Sequence, residues 1–171
     1  AISATEIAMR NAQAAGKRPE ENWLRILLKS YGNLNDAAAV NRLTTTLVTL
    51  YPTKENWQLL SSALRKQAQG DDRVALNVYR LMGELDLMDE PRLFTEWAIV
   101  SIQAGLPGEA LKTMELGYAR KVLGADDARN QRIMNDARTR LKAQQQTLSK
   151  LQQTAASSKQ GLAELQLAEV L

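Results

Sequence analysis

Three of the pairs of adjacent carboxylates in the sequence come where acid–base or metal chemistry has to be considered: Asp71-Asp72, Asp89-Glu90 and Asp126-Asp127. Each pair comes at the start of an expected helix, where carboxylates accept hydrogen bonds from free backbone N–H groups and offset the helix dipole. The chain has no histidine and no cysteine, so it lacks the commonest general base, the thiol nucleophile and most transition-metal ligands. We therefore interpret the pairs as helix caps, and we expect no catalytic residue, no cofactor and no metal site.

Two further motifs have residues of a reactive type without the partners that the chemistry needs. Ser61-Ser62 has no histidine in the chain to act as its base. The run Gly105-Leu106-Pro107-Gly108 lacks the Lys-Ser/Thr of a phosphate-binding loop and follows an expected helix rather than a strand. The sequence therefore favours a binding protein over an enzyme.

The charge and hydropathy of the sequence argue against a nucleic acid partner and against a membrane span. The net charge is +3, from 22 basic and 19 acidic residues, and residues 124–159 hold seven Lys/Arg against three Asp. No aromatic side chains are interleaved with these cations, so we expect a solvated helix face and no nucleic acid partner. No run of apolar residues is long enough to predict a membrane span.

A repeated spacing indicates the elements that would position a binding surface. A glycine is followed five residues later by an alanine in Gly32–Ala37, Gly70–Ala75 and Gly105–Ala110, and the glycines are 38 and then 35 residues apart. Periods of this length are typical of stacked helical hairpins. Good helix formers dominate the composition. We predict an all-α fold: a right-handed solenoid of helical hairpins with one long helix near the C-terminus.

Helix start and stop signals divide the array into its parts. They predict a first helix over 3–16 and hairpins over about 20–51, 54–86 and 90–122, so that the array as a whole covers 1–123.

The rest of the chain has a different character. Residues 124–158 are rich in Gln and Arg and carry a narrow apolar stripe, which predicts either one long helix or a fourth hairpin turning near 144–146. A single helix would pack its stripe on the third hairpin or form a coiled coil with another molecule. Residues 159–171 predict the start of a further, truncated repeat, so we expect the native protein to continue with another hairpin.

The hairpin turns, the Trp or small residues of the first helices and the proline at the repeat end resemble degenerate tetratricopeptide repeats over residues 20–123. The opening of another repeat at 161–171 is similar. The runs LVTLYPTKENWQLLSSALRKQ, ALNVYRLMGELDLM and GLPGEALKTMELGYARKVL resemble a group of bacterial tetratricopeptide proteins, often encoded beside TonB–ExbB–ExbD energy-transduction components and carrying a secretion signal. The resemblance implies a periplasmic scaffold that binds a protein or peptide, with TonB-type components as candidate partners.

In such a stack the first helices of successive repeats line the concave face. Aligning the three glycines makes equivalent the sets Asn22/Leu60/Thr95, Lys29/Gln67/Ile102 and Pro19/Trp57/Arg92. From these sets we expect the following partner-binding residues: Asn22, Lys29, Trp57, Leu60, Gln67, Arg92 and Thr95. The predicted function is a non-catalytic adaptor that binds a partner segment in this groove. The alternative is the helical domain of a larger enzyme, for example one acting on the cell wall, with its catalytic domain outside this chain.

Overall fold

The computed structural model describes residues 2–124 and 127–157, and these residues form eight α-helices and no strand. The predicted all-α class is confirmed. The helices are α1 (Ile2–Ala14), α2 (Glu21–Asn33), α3 (Ala37–Leu50), α4 (Lys54–Gln67), α5 (Asp72–Glu84), α6 (Pro91–Gln103), α7 (Pro107–Ala119) and α8 (Ala128–Ser157).

Local signals account for where the helices begin. Asp36 and Asp71 each accept a hydrogen bond from the backbone N–H three residues further on, so they cap α3 and α5. Pro91 and Pro107 occupy the first turns of α6 and α7, where a missing N–H breaks no intrahelical bond. The pairs α2–α3, α4–α5 and α6–α7 fall within the ranges that the sequence predicted for the three hairpins.

The turn between the two helices of each pair has one residue with left-handed backbone geometry. These residues are Asn35, Gly70 and Gly105, with φ of 55°, 89° and 75°, and they are spaced 35 residues apart. Gly32 lies inside α2 and has no positive φ. The alignment on Gly32–Ala37 is therefore wrong by three residues, because an asparagine, which tolerates this geometry, takes the place of the turn glycine.

The corrected period also fits the burial of the second helices. Three of the five buried positions of α3 have buried counterparts 35 and 70 residues further on, in α5 and α7. These sets are Leu43/Val78/Thr113, Thr44/Tyr79/Met114 and Leu47/Met82/Gly117. The repeat therefore extends from the turns to the packing of the second helices.

The contacts divide the chain into two compact units, Ala1–Asp89 and Glu90–Leu171. In the first unit α1 packs on α2, α2 on α3, α3 on α4 and α4 on α5. Its core contains Leu24 and Leu27 of α2 with Leu43 and Leu47 of α3. The solenoid geometry predicted for the whole array stays a prediction, because sequential packing is common to many helical folds.

In the second unit α6, α7 and α8 pack together around Phe94, Met114 and Ala137, each with 0 % exposure. α8 is one continuous helix of 30 residues, which confirms the predicted long helix; the alternative of a fourth hairpin with a turn near 144–146 is wrong. The contacts group α8 with the third hairpin, whereas the sequence predicted a boundary between 123 and 124. Asp126 and the truncated repeat expected at 159–171 lie outside the described residues.

Within the two described ranges, no helix combines the length and the apolar composition that crossing a bilayer requires. α8 is the longest of them and is rich in Gln, Arg and Lys.

Candidate protein-binding surfaces

The carboxylate pairs have the structural roles expected of them at two of the three places. The side chains of Asp71 and Asp127 accept backbone N–H bonds at the starts of α5 and α8, which confirms them as caps. The interpretation is wrong for Asp89-Glu90. Asp89 instead forms an ion pair of 3.1 Å with Lys54, and the side chain of Glu90 makes no capping bond.

The residues predicted to contact a partner differ in exposure. The side chains of Asn22, Lys29, Gln67 and Arg92 are exposed and Trp57 is half-buried, whereas Leu60 is 8 % exposed and Thr95 5 %. Leu60 and Thr95 lie on the sides of α4 and α6 that face the interior, so their side chains do not reach a partner. The hydroxyl of Thr95 donates to the carbonyl of Arg92 in its own helix. A partner-binding role for the other five stays a prediction.

With the turns aligned on Asn35, Gly70 and Gly105, the first helices have new equivalent sets. Asn22 joins Trp57 and Arg92, Arg25 joins Leu60 and Thr95, and Gly32 joins Gln67 and Ile102. Arg25, and not Asn22, is therefore the residue of α2 that is equivalent to Leu60 and Thr95.

Arg25 belongs to a closed polar network that joins α2 to the start of α4. Its guanidinium donates to Glu21 at 2.9 Å, to Glu55 at 2.9 Å and to the side-chain oxygen of Asn56 at 2.9 Å. Asn56 is fully buried, and its amide nitrogen donates to Glu21 at 3.0 Å and to the carbonyl of Tyr51 at 2.8 Å. No buried polar side-chain atom of Glu21, Arg25 or Asn56 lacks a hydrogen-bond partner, so the role of the network is to hold two helices together.

The network also sets the protonation of its members. The hydrogen bond from Asn56, followed by that from Arg25, lowers the pKa of Glu21. The carboxylate of Glu21 in turn raises the pKa of Arg25. This network could not be predicted from the sequence, because its members lie about 30 residues apart and no local pattern connects them.

A cleft of about 290 Å³ opens in the first unit beside the turn that connects α2 to α3. We call it the turn cleft; its lining residues are Gly32, Asn35, Ala37, Val40, Asn41, Ala63, Lys66 and Gln67. The amide of Asn41 donates to Gln67 at 2.7 Å. Small side chains leave this space open, since a Cβ added at Gly32 would have no atom within 4 Å. The predicted site residue Gln67 thus lines a cleft suited to a small apolar group.

A second depression, of about 410 Å³, lies in the second unit. We call it the α6–α8 groove; its lining residues are Ile99, Ile102 and Gln103 of α6 with Arg132, Ile133, Asp136 and Arg140 of α8. The three isoleucines are half-buried, and the arginines and Asp136 are exposed around them. Ile102 is the second-unit member of the set that contains Gln67, so the predicted first-helix face coincides here with an open groove.

The chemistry that these surfaces offer is contact and hydrogen bonding. Within 2–124 and 127–157, no group of three or more His, Cys, Asp or Glu side chains is placed to hold a metal ion. The groove combines an apolar surface with guanidinium donors, and the turn cleft combines small apolar residues with three side-chain amides. Both combinations are suited to binding a segment of another protein.

A scan against protein-family models matches none of them, and no curated protein shows significant similarity to the chain. The resemblance to tetratricopeptide repeats therefore rests on the residues quoted above.

Proposed function

We propose that this chain is a non-catalytic protein-interaction module, which binds a segment of a partner protein against the first helices of its hairpins. One observation carries the proposal: in the α6–α8 groove, Ile99, Ile102 and Ile133 remain partly open to solvent beside exposed arginines. Apolar side chains of a partner would gain affinity from covering these isoleucines, and the polar groups around them would fix its orientation.

The repeat supports the same function. Helical hairpins of 35 residues present their first helices side by side when they stack, which creates an extended surface for a partner. In that arrangement Asn22, Lys29, Trp57 and Gln67 would belong to a binding surface of the first unit, and Arg92 to that of the second. Among the carboxylates, Asp36 and Asp71 act as helix caps, and Glu21 and Asp89 form ion pairs.

The resemblance to the bacterial tetratricopeptide group extends the proposal to compartment and partner. It favours the periplasm and, as partners, proteins of TonB-type energy-transduction systems. Fractionation of cells that produce the full-length protein tests the compartment, and two-hybrid pairing with the soluble domains of those components tests the partner. Recovery of the protein in the cytoplasmic fraction alone would contradict this part of the proposal.

Site-specific photo-crosslinking tests the binding surface itself. A photoreactive amino acid is introduced at Gln103 in the α6–α8 groove, at Gln67 in the turn cleft, and at Glu115 on the exposed side of α7 as the control. We expect a discrete crosslinked partner from the native cell extract at Gln103 or Gln67 and none at Glu115. Equal yields at all three positions, or no product at any, would contradict the proposal.

A further inference from the structure

We propose that the α6–α8 groove takes an acidic amphipathic segment of a partner protein. The inference rests on the proposed function of this groove as a binding site, and it adds the chemistry of the occupant. Its basis is the charge distribution on α8 and the apolar character of the residues between the charges.

α8 is strongly basic. It carries one carboxylate, Asp136, and six cationic side chains: Arg129, Arg132, Arg138, Arg140, Lys142 and Lys150. Residues 129, 132, 136 and 140 follow one another at spacings of three and four, so they share one face of the helix. Three of these four members line the groove, and the face has three arginines for one carboxylate.

Asp136 neutralises only one of these arginines. Its carboxylate accepts a bond of 2.9 Å from Arg140, whereas Arg132 donates through Nε to the carbonyl of Ala128. No carboxylate of the described residues forms an ion pair with Arg132 or Arg129. The guanidinium groups of Arg132 in the groove and of Arg129 on the same face of α8 thus remain available, and a guanidinium is well suited to bind a carboxylate through two parallel hydrogen bonds.

The apolar part of the groove selects a protein segment over other anions. Ile99, Ile102 and Ile133 offer no donor to a phosphate, and none of the described residues that line the groove is an aromatic on which a nucleic acid base could stack. Arg129 and Arg132, the two arginines of this face without an ion pair to a described carboxylate, lie three residues apart in α8, which is about 4.5 Å along the helix axis. A matching segment places apolar side chains between the isoleucines and carboxylates about one helical turn apart.

Fluorescence anisotropy with three synthetic peptides and the full chain tests this inference. The first peptide is an amphipathic helix with Leu on one face and Glu beside it; the second has Lys for each Glu, and the third has Ser for each Leu. We expect the acidic peptide to bind about tenfold more tightly than either of the others, and added salt to weaken it. Either equal binding of the Lys peptide or tighter binding of a single-stranded oligonucleotide would overturn the inference.

Matched variants assign the binding to the groove. Arg132→Glu should weaken the acidic peptide about tenfold, while Arg138→Glu makes the same charge change at an exposed position of α8 outside the groove and should have little effect. Arg132→Glu should also bind the Lys peptide better than the unmodified chain does, a gain that a misfolded variant would not show. Equal effects of the two variants would overturn the inference.

Crosslinking at Gln103 tests separately whether the groove binds a partner and whether the bound segment is acidic. If the segment crosslinked there is neutral or basic, the groove binds a partner but the acidic occupant is wrong. If an acidic segment is crosslinked and Arg132→Glu abolishes the product, both proposals are supported.

Discussion

The side-chain nitrogen of Asn56 donates to Oε1 of Glu21 at 3.0 Å, and this bond ties the first turn of α4 to the first turn of α2. Asn56 is completely buried, and its second donor and its oxygen are also used, by the carbonyl of Tyr51 and by Arg25. Two hairpins of the first unit are therefore joined by a directional polar contact in addition to the packing of α3 on α4.

Removal of this contact should destabilise the first unit. Asn56→Ala leaves a buried carbonyl and two charged groups without one partner each, so we expect a loss of about 2–4 kcal/mol in the free energy of unfolding. Ser62→Ala, at an exposed position of the same helix, is the control and should change it by less than about 0.5 kcal/mol. Urea unfolding followed by circular dichroism measures both, and similar values for the two variants would contradict the role of Asn56.

The same network predicts a dependence of stability on pH. Its hydrogen bonds lower the pKa of Glu21 in the folded chain, so Glu21 stabilises the fold above its unfolded pKa and loses this effect as the pH falls through the lower folded value. Stability should therefore fall more steeply between about pH 5 and about pH 3 in the unmodified chain than in Glu21→Gln. Parallel curves for the two proteins over this range would show that Glu21 is not involved.

The position of the first turn gives opposite predictions for two glycines. Gly32 is helical with open space around its Cα, so Gly32→Ala should stabilise the fold by about 0.5–1 kcal/mol. Gly70 has φ of 89°, a geometry that strains any residue with a Cβ, so Gly70→Ala should destabilise it by about 1 kcal/mol. Thermal unfolding of both variants measures these changes in stability. If Gly32→Ala destabilises the fold, Gly32 occupies the turn position and the alignment on Asn35 is wrong.

Helix positions could be predicted from the sequence because capping carboxylates, prolines and turn glycines act locally. The first turn could not be placed in the same way. Here the glycine, Gly32, is helical, and the left-handed turn position that a glycine usually takes is occupied by Asn35. A signal was present. Asn35-Asp36 repeats the order of Gly70-Asp71, a left-handed residue followed by a capping aspartate, and the distance of 35 residues repeats from Gly70 to Gly105.

The candidate site was harder to predict from the sequence than the helices were. The burial of Leu60 and Thr95 depends on how α4 and α6 turn their faces toward neighbouring helices, which the glycine spacing does not determine. The α6–α8 groove required α8 to be one helix packed on α6, and the sequence left that choice open. Its cationic stripe, by contrast, is visible in the spacing of Arg129, Arg132 and Arg140.

Close packing at Gly117 predicts a cost for even the smallest side chain. A Cβ at this position would lie 2.6 Å from Leu123 Cδ1 and 3.1 Å from Phe94 Cδ1, so Gly117→Ala should destabilise the second unit by about 1–3 kcal/mol. Gly108→Ala is the control in the same helix, because its Cβ would meet Leu141 at an ordinary contact distance of 3.6 Å. We expect Gly108→Ala to be neutral or stabilising in denaturant unfolding; a loss equal to that of Gly117→Ala would contradict the assignment of the close approach.

Two alanines at equivalent places of the repeat should respond differently to enlargement. Ala110 of α7 has 0 % exposure, whereas Ala75 of α5 is half-buried. Ala110→Leu has no space for three added carbons and should lower the free energy of unfolding by about 1–3 kcal/mol. Ala75→Leu can direct its side chain toward solvent and should cost less than about 1 kcal/mol. Guanidinium unfolding with an unchanged slope for both variants would show that the difference arises in the folded state. If Ala110→Leu matches the unmodified chain, α7 is not packed as closely as its burial indicates.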